Sequence, residues 1–442
     1  MSESVLSRVV RRGRESGRDT WSVIAGALVA GLGAYGFQVV GAQGLGEERF
    51  APISVLWTLQ YLSLAVPLIA VETYLTRSFS GRDIATARWH QRVMGSWILV
   101  IALLIAALVY VWRDQLVAGH GDLAVVAGLI VVAYGVVVLA RGEAAGHEQF
   151  RPYAIITGAE SVLRLAIAVP VALLVSTTRA LAWILPIGPA LAGGWWYVTR
   201  ASRGLSTPIL PAGETTTPPD SPTRFLASTV IANGAAQLLL AGGPLVLAAL
   251  QAPPRDVSVF FVTITAARIP IVLAYGGLLS RVLPPLLRVT RRGDVRRVRE
   301  LVVGVAGATG AVAGGAAGVA WLLGPALVAR FFGEAFRPPG ALTVAAAAAV
   351  VIASGAMLIG QAIIAQAGET GLVLPWLAGL GAATAVVAGM AGDPTQRLAL
   401  GLVVGECCAL LALTLTACLW RAPGHDRSLA GHGSRPRAHH GR

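Results

Sequence analysis

The sequence predicts an all-α, polytopic membrane protein of about twelve transmembrane helices, and three observations carry that prediction. First, only 13% of the 442 residues are charged and 55% are hydrophobic, whereas a soluble domain carries about 25% charged residues. The mean hydropathy is +0.69. Second, the apolar residues form long uninterrupted runs instead of helical or strand periods. Lipid offers backbone groups no hydrogen-bond partner, so such runs cross it as helices that satisfy themselves. Third, the basic residues are all arginine, and nearly all of them sit in short segments between the runs.

The runs place spans at 20–42, 51–75, 94–112, 123–140, 154–176 and 180–199. A second set follows at 225–250, 258–280, 301–323, 341–365, 372–390 and 397–420. Each is long enough to cross about 30 Å of hydrocarbon. The N-terminal stretch is too long and arginine-rich, and the run after it too long, for a cleaved signal peptide. Arginines concentrate roughly fourfold in alternate connecting segments, the ones on the same side as the N-terminus. That bias predicts a cell-membrane protein with both termini cytoplasmic and an even number of spans. The formal charge of +13 is explained by this distribution, and no nucleic-acid partner is expected.

The expected organisation is a basic cytoplasmic N-terminus (1–19), a first six-helix lobe (20–199) and a Pro-rich cytoplasmic linker (200–224). A second six-helix lobe (225–420) and a disordered basic tail (421–442) complete it. A faint echo between the halves aligns Pro67 with Pro270, as a parallel repeat would. Residues 324–340 hold Phe331, Phe332 and Phe336 and suit a short interfacial helix. Cys407, Cys408 and Cys418 share the last run without metal-ligand spacing and read as small packing residues; no metal or other cofactor is expected. Gly31-Leu-Gly-Ala-Tyr-Gly36 matches a dinucleotide fingerprint but lies inside a span, so it reads as a close helix contact. Gly310, Gly314 and Gly318 form a small-residue stripe with the same reading.

Ionisable groups at membrane depth are more informative, since each costs about 2.5–3.5 kcal/mol at the centre. Arg164 lies about twelve residues into the fifth span, roughly 18 Å deep, and Arg268 lies at similar depth in the eighth. Both are expected to face an internal aqueous cavity. Glu160 precedes Arg164 by four residues and shares its helix face, either as an intrahelical salt bridge or as part of the cavity wall. Asn233 and Gln237 share a face of the seventh span as cavity or interhelical hydrogen-bonders. Glu72 and Arg77 mark a cytoplasmic boundary, and Glu406 has no evident partner in its span.

Three stretches resemble the Wzx-type polysaccharide-biosynthesis flippases of the multidrug/oligosaccharidyl-lipid/polysaccharide exporter superfamily. The first is Gly44-Leu-Gly-Glu-Glu-Arg-Phe50 with Trp57-Thr-Leu-Gln-Tyr61 and Tyr74-Leu-Thr-Arg77. The second runs from Arg141-Gly-Glu-Ala-Ala-Gly-His-Glu-Gln-Phe-Arg-Pro-Tyr153 into Ala159-Glu-Ser-Val-Leu-Arg-Leu165. The third comprises Ala267-Arg-Ile-Pro270, Leu283-Pro284-Pro285, Leu323-Gly-Pro325 and Phe332-Gly333. The resemblance implies two six-helix lobes around a central cationic cavity. It implies alternating access, with a polyprenyl-diphosphate-linked oligosaccharide as cargo and Arg164 and Arg268 as diphosphate contacts. Further expected partners are anionic membrane lipid at the 281–299 segment, coupling protons or Na+, and other polysaccharide-export proteins. The alternative within the superfamily is an ion-coupled multidrug exporter, which usually needs an acid in a lobe; the first span has none. A membrane-embedded glycosyltransferase or polymerase needs a sizeable outer loop, which the spacing of the runs does not provide. No enzymatic activity is therefore expected.

Overall fold

The computed structural model describes residues 3–81, 84–203, 222–269, 294–367 and 369–419. Every described element is helical. Lobe 1 comprises α1 (Glu3–Arg49), α2 (Ala51–Ser63), a π-helical turn (Leu64–Leu68), α3 (Ile69–Gly81), α4 (Ile84–Val111), α5 (Arg113–Leu116), α6 (Asp122–Gly146), α7 (Phe150–Leu174) and α8 (Thr178–Arg203). Lobe 2 comprises α9 (Pro222–Ala241), α10 (Gly243–Ala249) and α11 over 254–269. It continues with α12 (Val295–Phe332), α13 (Gly340–Ala367), α14 (Val373–Gly389) and α15 (Pro394–Leu419).

Each of the twelve expected spans has a helix at its place as far as the residues are described. Among the described residues nine helices are long and apolar enough to cross a membrane, and the bent pair α9–α10 makes a tenth. The helix α14 is a shorter apolar helix, and α11 is described as far as residue 269. Large apolar side chains such as Leu103, Leu173, Leu322 and Leu374 face outward, as hydrocarbon surroundings require. Within lobe 1, α1 lies along α7 and α6 is wrapped by α3, α4 and α8; within lobe 2, α15 lies against α13 and α14.

Three departures from the sequence expectations have identifiable causes. The seventh span is not one helix: Gly242, Gly243 and Pro244 break it by 72°. Pro244 has no N–H to give the Leu240 carbonyl, and glycine stiffens neither side of the gap. The second span carries Pro67 inside its π turn. There the Ile69 amide bonds Leu64 O, five residues back, so the Ala65 carbonyl loses its α-helical donor. The third departure concerns the 324–340 segment, which holds no interfacial helix. Its Phe332 and Phe336 are buried, at the end of α12 and in a single 3-10 turn, Glu334–Phe336.

Those phenylalanines help to close one end of the bundle. Phe50, just past the break at Gly46 (φ +76°), stands 6.1 Å from both the Phe261 and Phe336 rings. Gln43 Nε2 donates to Phe331 O at 2.7 Å alongside. At the opposite end, the one the arginine bias assigns to the cytoplasm, lobe 1 is clamped by ion pairs. Arg141 meets Glu72 at 2.7 Å, and Tyr153 donates to the same carboxylate at 3.0 Å. Gly142 and Gly146 let α6 lie on α3: a Cβ at Gly146 would sit 2.4 Å from Phe79 Cβ and 2.9 Å from Thr76 O. Glu143 pairs with Arg200 and accepts from Trp196 Nε1.

The glycine readings separate. Gly33 and Gly36 are close contacts as expected, their would-be Cβ atoms 2.9 Å from Ser161 Cβ and 2.8 Å from Leu165 Cδ2, whereas Gly31 has open space among the described residues. Gly310, Gly314 and Gly318 have open space instead, so that stripe packs against no helix among the described residues. The echo's Pro270, the 204–221 part of the linker, residues 281–293 and the tail from 420 onward lie outside the described residues.

Candidate functional site

A cavity of about 310 Å³ lies between the lobes at mid-depth. Lobe 1 lines it from α1, α2, α6 and α7, and lobe 2 from α9, α10 and α11. Arg164, Glu160 and Arg268 all border it. Asn233 and Gln237 border a second cavity of about 260 Å³, together with Gln361 and Trp376. Tyr61 joins the two: it lines the first, and its hydroxyl donates to Gln237 Oε1 at 2.7 Å. Asn233 Nδ2 donates to the Ala65 carbonyl, the group freed by the π turn. Both amides thus tie lobe 2 to lobe 1.

The two arginines differ in kind. Arg164 is 1% exposed. Its guanidinium pairs with Glu160 at 2.9 Å, donates to Ser161 Oγ at 3.1 Å and to Gln60 Oε1 at 3.2 Å, and lies 4.7 Å from the Trp57 ring centroid. Glu160 is itself saturated, accepting from Ser161 Oγ at 2.6 Å and from the Tyr134 hydroxyl at 2.9 Å. Gln60 closes the ring by donating to Tyr134 at 3.0 Å. A charge this buried persists only when it is paired and hydrogen-bonded; although its Nε finds no partner among the described residues, Arg164 borders the cavity as half of a neutral pair. Arg268 is half-buried. Its Nη2 donates to Leu240 O at 2.6 Å, the carbonyl that Pro244 leaves without a donor. Its guanidinium lies 5.2 Å from the Tyr61 ring centroid, across the lobe interface. Among the described residues no carboxylate comes within 4.0 Å of it. The cavity therefore carries one uncompensated positive charge.

Trp57, Gln60 and Tyr61, not singled out for the cavity in the sequence, prove central to it. Their spacing of three and four residues puts them on one helix face, which is the signal that was available. Tyr134 is found only through the fold. Among the described residues no three His, Cys, Asp or Glu side chains gather as metal ligands.

No protein-family model matches the sequence, and no curated protein matches it. Solved structures do match in fold. An inward-facing multidrug resistance MATE family transporter of the MOP superfamily aligns with TM-score 0.61 at 14% identity, over 88% of this chain and 93% of that one. An outward-facing MATE family transporter of the same superfamily aligns with TM-score 0.53 at 14% identity, over 90% and 94%. MATE in complex with MaD5 gives 0.57 at 14% identity, over 90% and 94%. The chain thus has the fold of MOP-superfamily transporters, two six-helix lobes around a central cavity.

Proposed function

We propose that the chain is an alternating-access transporter in the cell membrane, both termini cytoplasmic, whose amphiphilic cargo carries negative charge. The observation that carries this reading is Arg268: a guanidinium without a carboxylate partner, bordering a cavity walled by both lobes and floored by Tyr61 and Trp57. Guanidinium suits a bidentate diphosphate contact, and aromatic faces suit sugar rings. The cargo class that fits, and that the sequence resemblance implies, is a polyprenyl-diphosphate-linked oligosaccharide. Its headgroup would cross between the lobes while its tail stays in lipid. Arg164 serves this reading by holding the cavity wall, with its charge already spent on Glu160.

A second reading is an ion-coupled multidrug exporter. The solved structures sharing the fold support it more directly than they support a flippase. Cargo charge separates the two, because a cationic drug gains nothing from Arg268. The test uses the full chain in liposomes with two probes: a fluorescent short-chain polyprenyl-diphosphate sugar and a lipophilic cationic dye. Loss of a charge-assisted contact should slow sugar-lipid flipping about ten- to a hundredfold in R268A. Dye export that R268A leaves intact, without sugar-lipid flipping by the wild type, would replace the first reading with the second.

A further inference from the structure

Lobe 2 holds a second buried charge-bearing group that the cavity does not use. Glu406, on α15, is 0% exposed, and neither carboxylate oxygen has a hydrogen-bond partner among the described residues. A carboxylate buried without any donor would be strongly penalised, whereas a neutral carboxyl is tolerated. Among the described residues, few charged groups lie on the helices around it. The helices α10, α13 and α14 carry no acidic or basic residue; α9 carries one, Arg224 in its first turn, and its Asn233 and Gln237 are neutral. On α12, Arg299 is tied to the Cys418 carbonyl, about 18 Å along α15 from Glu406. Cys407 is the adjacent thiol. Among the described residues, Arg268 is the charged group placed to act on Glu406.

Geometry brings the two to one place. α15 meets α9 at Gly405, where an added Cβ would sit 2.7 Å from Leu239 Cδ1. The next residue of α9, Leu240, is the one whose carbonyl holds Arg268, and the 72° break follows at once. Thus a bare buried acid, a guanidinium without a carboxylate, and the bend of a membrane helix share one locus.

We infer that Glu406 is a proton-binding site whose occupancy sets the partner of Arg268. In the state described here Glu406 holds a proton, and Arg268 serves the broken end of α9 and the cavity. When the O–H bond breaks, its electron pair stays on Glu406 and the proton passes to water in the interlobe cavity. Arg268 then turns from Leu240 and the cavity to the new carboxylate. Proton binding at Glu406 and anion binding at Arg268 consequently favour one another, as any linked pair of sites must. The anion half of this coupling rests on the cavity reading proposed above; the proton half does not.

The experiment keeps those halves apart. Infrared difference spectra of the full chain in nanodiscs are recorded through a pH titration. A protonated-carboxyl C=O band should appear in the wild type, vanish in E406Q, and shift its titration toward alkaline pH in R268A and in R268Q. Binding of a fluorescent aryl sulfonate, whose charge does not titrate, is measured in parallel. Above the titration it should weaken about tenfold per pH unit in the wild type and become pH-independent in E406Q. The wild-type spectrum alone decides the proton site, whether or not a variant folds: a carboxyl band absent throughout overturns it. A band unmoved by both Arg268 variants overturns the exchange. A band that behaves as stated while the sulfonate binds at no pH leaves Glu406 as a proton site and removes the cavity reading instead.

Discussion

The two lobes handle interior charge in opposite ways. In lobe 1 every interior acid described has an arginine against it: Glu72 with Arg141, Glu143 with Arg200, Glu160 with Arg164. In lobe 2 the interior acid Glu406 and the interior base Arg268 stand out of contact, one with no partner among the described residues and the other on a backbone carbonyl. Paired, hydrogen-bonded charges pin helices in one arrangement, and unpaired ones leave alternatives of similar energy. The difference teaches that lobe 1 is built as a scaffold, whereas lobe 2 holds the groups for which the partner exchange is proposed.

Substitutions test that contrast in order of size. E160A strands Arg164 in a dry site and should cost about 3–5 kcal/mol of stability, read from thermal or denaturant unfolding in nanodiscs. Removing both members, as in E160L with R164M, should recover most of the loss. R268A leaves only a helix carbonyl without its donor, so about 1–3 kcal/mol is expected, although flipping falls far more. An R268A chain less stable than E160A would erase the distinction between the lobes. Y153F deletes one of the donors to Glu72 and should cost about 1 kcal/mol by the same unfolding assay, with sugar-lipid flipping unchanged.

The smallest effect concerns His147, in the connection between α6 and α7. Burial beside Phe79 lowers its pKa below the ordinary histidine value. The folded chain therefore binds that proton less readily than the unfolded one. Its contribution is present above about pH 6.5 and is lost as pH falls toward the folded value. A melting-temperature difference between wild type and H147Q that narrows on acidification is the expected result; one that widens would reverse the sign.

The sequence located the spans that the structure describes because hydrocarbon thickness and backbone hydrogen bonding act locally. The Glu160–Arg164 pair was legible for the same reason, being four residues apart on one helix. Its consequence, an arginine without net charge to offer, needed Gln60 and Tyr134, which lie 104 and 26 residues away along the chain from their partners in the network. The motif from Arg141 to Tyr153 was visible as a pattern, but its physical content was not. The pattern is a clamp: two glycines admit α3, and an arginine and a tyrosine seize Glu72. The face shared by Asn233 and Gln237 was also visible. Their partners, a π-turn carbonyl and Tyr61, depend on how two lobes meet, and no local pattern encodes that. Phe332 and Phe336 misled because aromatic residues serve a membrane interface and a buried seal equally well.

That seal has an electrical consequence. Phe50, Phe261 and Phe336 are all buried where they meet, and on the reading proposed above, in which cargo crosses between the lobes, much of the membrane voltage falls across those rings. An elementary charge moved through the full field does work of about 2.3 kcal/mol per 100 mV. A diphosphate crossing alone would feel that work in proportion to its charge. One that crosses against Arg268 does so as a partly neutralised pair, and the voltage sensitivity of transport then counts how many charges the protein fails to match.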